Sequence, residues 1–553
     1  MNANTLPPTT WTTGTTAVFK TGTWRAALPR HIAAPSPCHA ACPVDGEIAQ
    51  WIGRARDQDF RGAWELLVRN NPFPAVAGRI CHHPCEAACN RAGFDEPLAI
   101  CKLERHVGDL ALAHDWQCPP PDVERVQRVA VVGGGPSGLS AAFQLRRRGY
   151  QVTIFEAAAS LGGLMRDGIP AYRLPRDVLD GEIARMLRLG VEVRCGEAIA
   201  SPGDFARLRQ RFDAVYLAIG ARRSKRLPQL DYDQPWVADG ADWLARANAG
   251  APPALGRRMV VVGGGSAAID VARSARRAGH EVTLLALEAR AQMPAQGEEV
   301  EEAIEEGVRL ADASMLVRAH RDGDDVVLEC VRVDFEAAAD GRAFAVRPRP
   351  GSEFRVAADA IVSSIGQDPD LGVVDDALRT QGALVHVDSR QATSEPRVFA
   401  GGDVASMARF VTEAIGMGKR AALAIDRALQ SNDAPPAQAA APSERIVPLD
   451  AIATFYYPAA ARAAERRLDT RARLDGDAEV QLGFSPEEAL AEAQRCFSCG
   501  SCIFCDNCYH YCPDLAVGRV PGGYTVDADY CKGCGVCVRE CPTGSMEMVE
   551  EAK

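Results

Sequence analysis

The sequence predicts a multidomain chain: a small α-helical domain in front, two α/β nucleotide-binding domains in the middle, one inserted in the other, and a small α+β domain at the tail. Three observations carry that reading. The chain has 553 residues, enough for three or four domains at ~100 to 200 residues each. Its middle third repeats a pattern of strand, glycine turn, helix and strand, at residues 128–156 and again at 258–288. Of 19 cysteines, six lie between positions 38 and 101 and ten between 496 and 541, so two cysteine-rich ends flank a cysteine-poor body.

Lys and Arg number 62 against 73 Asp and Glu, a net charge of −11, which argues against nucleic acid or an anionic membrane as partner. No run reaches the ~18 apolar residues of a membrane span, and the opening lacks a basic region followed by an apolar core. A cytoplasmic location is the expectation, and there so many cysteines point to metal rather than to disulfides.

Taken in order, residues 1–30 are rich in Thr and Pro and are expected to form an arm lying on another surface. Residues 31–118 are assigned to the helical domain, because Glu47, Ile48, Trp51 and Ile52, then Ala63, Leu66 and Leu67, recur at three-to-four spacing. Three prolines at 119–121 break the chain before an apolar strand at 129–132. The first nucleotide domain is assigned 128–250 and 370–430, and the inserted one 251–369. Ala, Pro and Gln make 431–445 a linker by composition. A connecting segment, 446–495, precedes the tail domain, 496–553.

In the first repeat Gly133, Gly135 and Gly138 fall between a strand and a helix, the G-x-G-x-x-G spacing that lets backbone N–H groups and a helix dipole receive a pyrophosphate. Glu156 ends the next strand, where a carboxylate can accept the ribose hydroxyls of a bound adenosine. Together these predict a Rossmann-like unit. The second repeat reads Gly263, Gly265 and Ala268, with Glu288 closing its second strand. A carboxylate there would repel a 2′-phosphate, which favours NAD(H) over NADP(H), although Arg290 stands close by.

The tail carries Cys502, Cys505, Cys508 and Cys512 before Pro513, then Cys531, Cys534, Cys537 and Cys541 before Pro542. This is the spacing of two-cluster bacterial ferredoxins, in which the fourth cysteine of each run serves the other cluster. Cys502, Cys505, Cys508 and Cys541 are therefore assigned to one [4Fe–4S] centre, and Cys531, Cys534, Cys537 and Cys512 to a second. Cys496 and Cys499 continue the spacing upstream, which leaves a shifted ligand register open; they are taken as spare thiols.

Residues 128–430 resemble the small subunit of glutamate synthase and its relatives, including the flavin half of dihydropyrimidine dehydrogenase. The matching text is Gly162-Gly163-Leu164-Met165, Gly168-Ile169-Pro170, Leu217-Ala218-Ile219-Gly220, Met293-Pro294-Ala295, Ser364-Ile365-Gly366 and Phe399-Ala400-Gly401-Gly402-Asp403-Val404. The resemblance implies that the first fingerprint, with Gly162 and Gly163, binds FAD, that Asp403 holds the ribityl chain, and that the second fingerprint binds NAD(P). NADP-using members carry Tyr-Arg-Arg where this chain has Ala286-Leu287-Glu288, a departure that again favours NAD(H).

The front motifs, Cys38-x3-Cys42-Pro43 and Cys81-x3-Cys85-x3-Cys89, resemble the helical iron–sulfur domain of the same family. In that family the first motif has four cysteines and two clusters interleave; here no cysteine precedes Cys38, so two ligands of one cluster are missing, and the surviving set that the resemblance implies is one [4Fe–4S] centre held by Cys42, Cys81, Cys85 and Glu104. Cys38 and Cys89 are left over, and with Cys101 supply only three thiols for a second centre, so one front cluster is expected. His82 and His83 are read as solvated helix-end residues.

Residues 19–25 and 530–537 resemble the two ends of the ferredoxin-type delta subunit of 2-oxoacid:ferredoxin oxidoreductases. Together these features predict an electron-transfer subunit in which FAD is the redox group and no side chain is catalytic. It would pass electrons between NAD(H) and the catalytic subunits of a 2-oxoacid oxidoreductase or similar complex, with ferredoxin as a further acceptor. The alternatives are a glutamate-synthase-type NAD(P)H-oxidising subunit, a stand-alone NAD(P)H:ferredoxin oxidoreductase, and a carrier protein that no longer binds nicotinamide.

Overall fold

The computed structural model describes residues 20–22, 25–337, 344–374, 378–430 and 445–551. Two five-stranded parallel sheets form the body. The first runs Val398–Ala400, Ala214–Leu217, Arg128–Val132, Gln151–Glu156, Glu192–Cys195. The second runs Arg309–Ala311, Glu281–Leu285, Arg258–Val262, Ala360–Ser363, Val237–Asp239. Because Val398–Ala400 rejoins the first sheet after the whole of the second, the second domain is an insertion. The near-continuous apolar text of the central strands fits burial on both faces.

Two features differ from the sequence expectation. The second sheet takes in Val237–Asp239, upstream of the expected start at 251, and a three-residue strand is too short to declare itself by alternation. It is also followed by a three-stranded antiparallel sheet, Ser314–Asp322, Asp325–Ala337 and Phe344–Ala358, whose last strand is largely exposed and charged.

The front domain is helical as the periodicity predicts. The helices Ile48–Arg56 and Phe60–Asn70 bury Trp51, Ile52, Trp64 and Leu67 almost completely. The helix Ile100–Ala113 crosses Pro74–Ile80 so closely that a Cβ on Gly108 would stand 2.3 Å from the Ala75 nitrogen.

The connecting segment is a strap. Arg495 pairs with Glu492 at 2.8 Å and Asp95 at 3.2 Å, Arg462 with Glu86 at 2.6 Å, and Glu479 with Arg79 at 2.8 Å and Arg105 at 3.0 Å. Arg473 pairs with Glu305 at 2.7 Å, so the strap ties the front domain to the inserted one.

The two ends of the chain form one unit. Ala27–His31 pairs antiparallel with Met546–Glu550. Gly22 donates its N–H to Asp529 O at 2.9 Å, Lys20 pairs with Asp529 at 2.7 Å, and Arg25 with Glu551 at 2.6 Å. The surface on which the described part of the arm lies is therefore the tail; residues 1–19, 23 and 24 fall outside the described residues. Among the described residues no helix is long and apolar enough to cross a membrane.

Candidate redox site

The strand Arg128–Val132 enters a turn in which the glycines serve different ends. A Cβ on Gly138 would stand 1.9 Å from the Gly133 carbonyl oxygen, so the helix Pro136–Arg147 closes tightly on the turn. A Cβ on Gly135 would meet only the Gly163 Cα, at 4.0 Å. Space therefore remains at the helix N-terminus, where free N–H groups suit a pyrophosphate.

Glu156 accepts from Gly134 N and Ala158 N, both at 2.7 Å, which fixes its carboxylate over the turn with lone pairs left for hydroxyl donors. Gly162 donates to Gly134 O at 2.9 Å, placing Gly162 and Gly163 on the same turn. Asp403 follows Gly402, where a Cβ would lie 2.9 Å from the Ser137 Cβ, so it stands at the start of the same helix. Burial raises its carboxyl above the usual range. One partner was not foreseen: the Tyr216 hydroxyl lies 2.6 Å from Ser137 Oγ, under the turn.

The second turn repeats the design. Gly265 has no atom within 4 Å of an added Cβ, and Ala268 is fully buried in the helix Ser266–Arg277. A Cβ on Gly264 would stand 2.4 Å from Glu288 Oε2, as one on Gly134 would stand 3.1 Å from Glu156 Oε2. The two carboxylates thus take matching places over the two turns. Half-burial raises the Glu288 carboxyl, while Arg290 points to Glu301 at 3.6 Å.

Cys42, Cys81, Cys85 and Glu104 come together between the front helices: Cys42 has Glu104 and Cys81 as electrostatic neighbours, and Cys85 has Cys81, Cys42 and Glu104. Burial pushes the Cys42 thiol up to about 12, and burial with the Cys81 charge pushes Glu104 to about 8. Asn71 Nδ2 donates to Glu104 Oε1 at 2.8 Å. Cys101 is a buried thiol beside the set, 3.5 Å from Ala77 O and hydrogen-bonded to Cys81.

This set is fastened to the helix Val411–Gln430, which follows Asp403 in the chain. Cys81 Sγ lies 3.6 Å from Thr412 Oγ1, Lys419 donates to Val44 O at 2.7 Å, and Arg420 to Pro43 O at 3.1 Å. His82 is not the solvated residue expected: it stacks on Phe410 at 3.9 Å, because its loop packs against the approach to that helix.

In the tail, Cys502 and Cys508 have Cys541 as an electrostatic neighbour, and Cys531 and Cys537 have Cys512 and Cys534. The fold thereby brings Cys541 beside the first run and Cys512 beside the second. Among the described residues no three His, Cys, Asp or Glu side chains close on a single metal ion. A four-iron cube, with sulfides between its irons, holds its ligands wider than one ion does.

Cys496 and Cys499 do not join the tail runs. The helix Pro486–Gln494 packs on Ile48–Arg56 and delivers them to the front domain, where Cys496 packs against the same core as Cys38 and Cys89.

Residues 127–418 match the pyridine nucleotide-disulphide oxidoreductase family, 31–116 the 4Fe-4S domain II of dihydropyrimidine dehydrogenase, and 524–547 a 4Fe-4S binding domain. The chain is 35% identical over 502 residues to the NADP(+)-dependent formate dehydrogenase subunit beta of Moorella thermoacetica, covering 84% of this chain and 70% of that one. It is 32% identical over 399 residues to the NAD-dependent dihydropyrimidine dehydrogenase subunit PreT of Escherichia coli (strain K12), covering 71% and 91%. It is also 32% identical over 437 residues to the glutamate synthase [NADPH] small chain of Mycobacterium tuberculosis, covering 72% and 87%.

Proposed function

Because the chain belongs to the pyridine nucleotide-disulphide oxidoreductase family and joins that module to iron–sulfur domains at both ends, we propose that it is the electron-transfer subunit of an NAD(P)-linked oxidoreductase complex. The observation that carries this reading is the bolting of the front cysteine set onto the helix Val411–Gln430, next to Asp403 and the first glycine turn. FAD would lie along Gly133, Gly135, Gly138, Gly162 and Gly163, with Glu156 on its ribose and Asp403 on its ribityl chain. NAD(P) would lie along Gly263, Gly265 and Ala268. When bound, flavin exchanges a hydride with nicotinamide and single electrons with iron–sulfur centres. The residues here position these groups and shape their charge.

NAD(H) is the proposed nicotinamide, supported by the Glu288 carboxylate over Gly264. Relatives whose names specify NAD and others whose names specify NADP both match this chain, so the choice rests on that carboxylate. The proposed partner is a 2-oxoacid:acceptor oxidoreductase, supported by Thr21 and Arg25 meeting Tyr530 and Cys531, within the segments 19–25 and 530–537 that resemble the two ends of its delta subunit. A second reading, a formate dehydrogenase partner, is favoured by the Moorella relative.

The test is anaerobic assay of the native complex with a 2-oxoacid or with formate as donor and NAD⁺ or NADP⁺ as acceptor. NADH formed from a 2-oxoacid alone is the expected result; NADPH formed from formate overturns both finer choices. A reconstituted chain that reduces a viologen dye with neither NADH nor NADPH overturns the proposal itself.

A further inference from the structure

Four thiols that the sequence leaves unassigned come together where the front domain meets the strap. Asn90, next to Cys89, donates its amide to Cys499 Sγ at 3.4 Å, across 409 positions of sequence. Ser36 Oγ lies 3.1 Å from Cys38 Sγ, and the segment around it is stitched to the same loop, Ala34 N donating to Gly500 O at 3.4 Å. Arg91 donates to Arg495 O at 2.6 Å and lays its guanidinium over the Phe497 ring at 4.8 Å, while Arg56 reaches Ser498 Oγ at 3.3 Å. Cys38 is an electrostatic neighbour of Cys496, Cys89 and Cys499, and both Cys496 and Cys499 are neighbours of Cys89. All four are free of disulfides, and none is exposed.

We propose that Cys38, Cys89, Cys496 and Cys499 ligate a further [4Fe–4S] cluster, assembled from two cysteines of the front domain and a Cys-x-x-Cys pair brought back by the strap. Four thiolates complete such a cluster. Zinc is the other group that takes four cysteines, and the experiment below counts it separately. The proposal replaces the expectation of a single front cluster: in place of Cys101, the complement comes from the far end of the chain.

The position gives this centre a task. On one side Cys38 lies in the helix Pro37–Ala41 and Cys42 caps its C-terminal end, so the front set is its neighbour. On the other, Tyr457 Oη bonds Phe497 O at 3.0 Å and Pro542 O at 3.1 Å, and Gly500 N donates to Thr543 O at 2.7 Å, beside the tail ligand Cys541. The cluster therefore stands between the front set and the tail, taking one electron from one side and giving one to the other. This relay role rests on the proposed function; the cluster itself does not.

The experiment counts iron, acid-labile sulfide and zinc in the anaerobically reconstituted full-length chain. About sixteen irons and as many sulfides per chain are expected from four cubes, falling to about twelve in Cys496→Ser/Cys499→Ser and likewise in Cys38→Ser. Cys330→Ser, buried in the inserted domain, keeps sixteen. About twelve irons in the unmodified chain, sixteen retained in the double variant, or one zinc lost with those thiols would each overturn the cluster. Stopped-flow mixing with NADH and with NADPH then tests the relay. The double variant is expected to keep flavin reduction and lose reduction of the tail clusters; unimpaired tail reduction overturns the relay role and leaves the cluster standing.

Discussion

Asn71 holds Glu104 by a 2.8 Å hydrogen bond, so the one carboxylate of the front set is fixed in place from outside the cysteine motifs. Outer partners of this kind tune the groups they orient. Glu104→Ala is expected to lower iron by about four per chain, one cube. Glu104→Gln keeps the iron and raises the reduction potential of the front cluster, because one negative charge is removed. Iron analysis with an EPR-monitored redox titration checks both, and an unchanged iron count in Glu104→Ala excludes it as a ligand.

The two open glycines separate ligand space from packing. Gly135→Ala, whose new methyl meets almost nothing in the protein, should fold normally and lose FAD; Gly265→Ala should keep FAD and weaken nicotinamide binding. Gly138→Ala is different. Its methyl runs into the Gly133 carbonyl, and overpacking of that kind costs about 1–3 kcal/mol, visible as a lower melting temperature even without flavin. Flavin absorbance after gel filtration, read beside thermal melts, distinguishes the cases.

Glu288 is expected to set the nicotinamide preference through charge. Replacing Leu287 and Glu288 by arginine should swing the ratio of kcat/KM for NADPH over NADH upward by about tenfold or more, the equivalent of ~1.4 kcal/mol. Steady-state dye reduction with each nucleotide measures this. No change in the ratio would remove Glu288 from the binding site.

Glu182 supplies a pH signature. It is fully buried, accepts from Ala75 N at 3.2 Å and Val76 N at 3.1 Å, and has Arg185 at 3.5 Å. Burial outweighs these partners and lifts its carboxyl to about 7 from an ordinary 4.5. The folded protein then holds the proton more tightly than the unfolded chain, so this group makes stability fall as pH rises from 4.5 to about 7, with no further change above. Glu182→Gln should abolish that fall. Urea midpoints at pH 5 and pH 8, compared between wild type and variant, test the sign.

Features whose signal is local were legible in the sequence. Each glycine turn declares itself within a dozen residues, and the crossing of Cys512 and Cys541 is written into their spacing. The inserted domain was legible because Gly263 repeats Gly133 while the flavin text resumes at Asp403. Features that depend on the return of the chain were not. Nothing near Cys38 announces that Cys499 will lie beside Asn90, because that contact is made by the strap and its Arg495, Glu492 and Arg462 pairs. The stacking of His82 on Phe410 was hidden for the same reason.

The pairing of Ala27–His31 with Met546–Glu550 also sets an order of assembly. The first strand leaves the ribosome about five hundred residues before its partner, and at ~5–20 residues per second it waits roughly half a minute to two minutes, unpaired. Cys496, Cys499 and every tail cysteine emerge after the body has had time to fold. On the proposed assignments, flavin loading and the Cys42, Cys81, Cys85 and Glu104 set can thus mature during synthesis, whereas iron held by C-terminal cysteines can be inserted only when the C-terminal segment arrives to close the chain on itself.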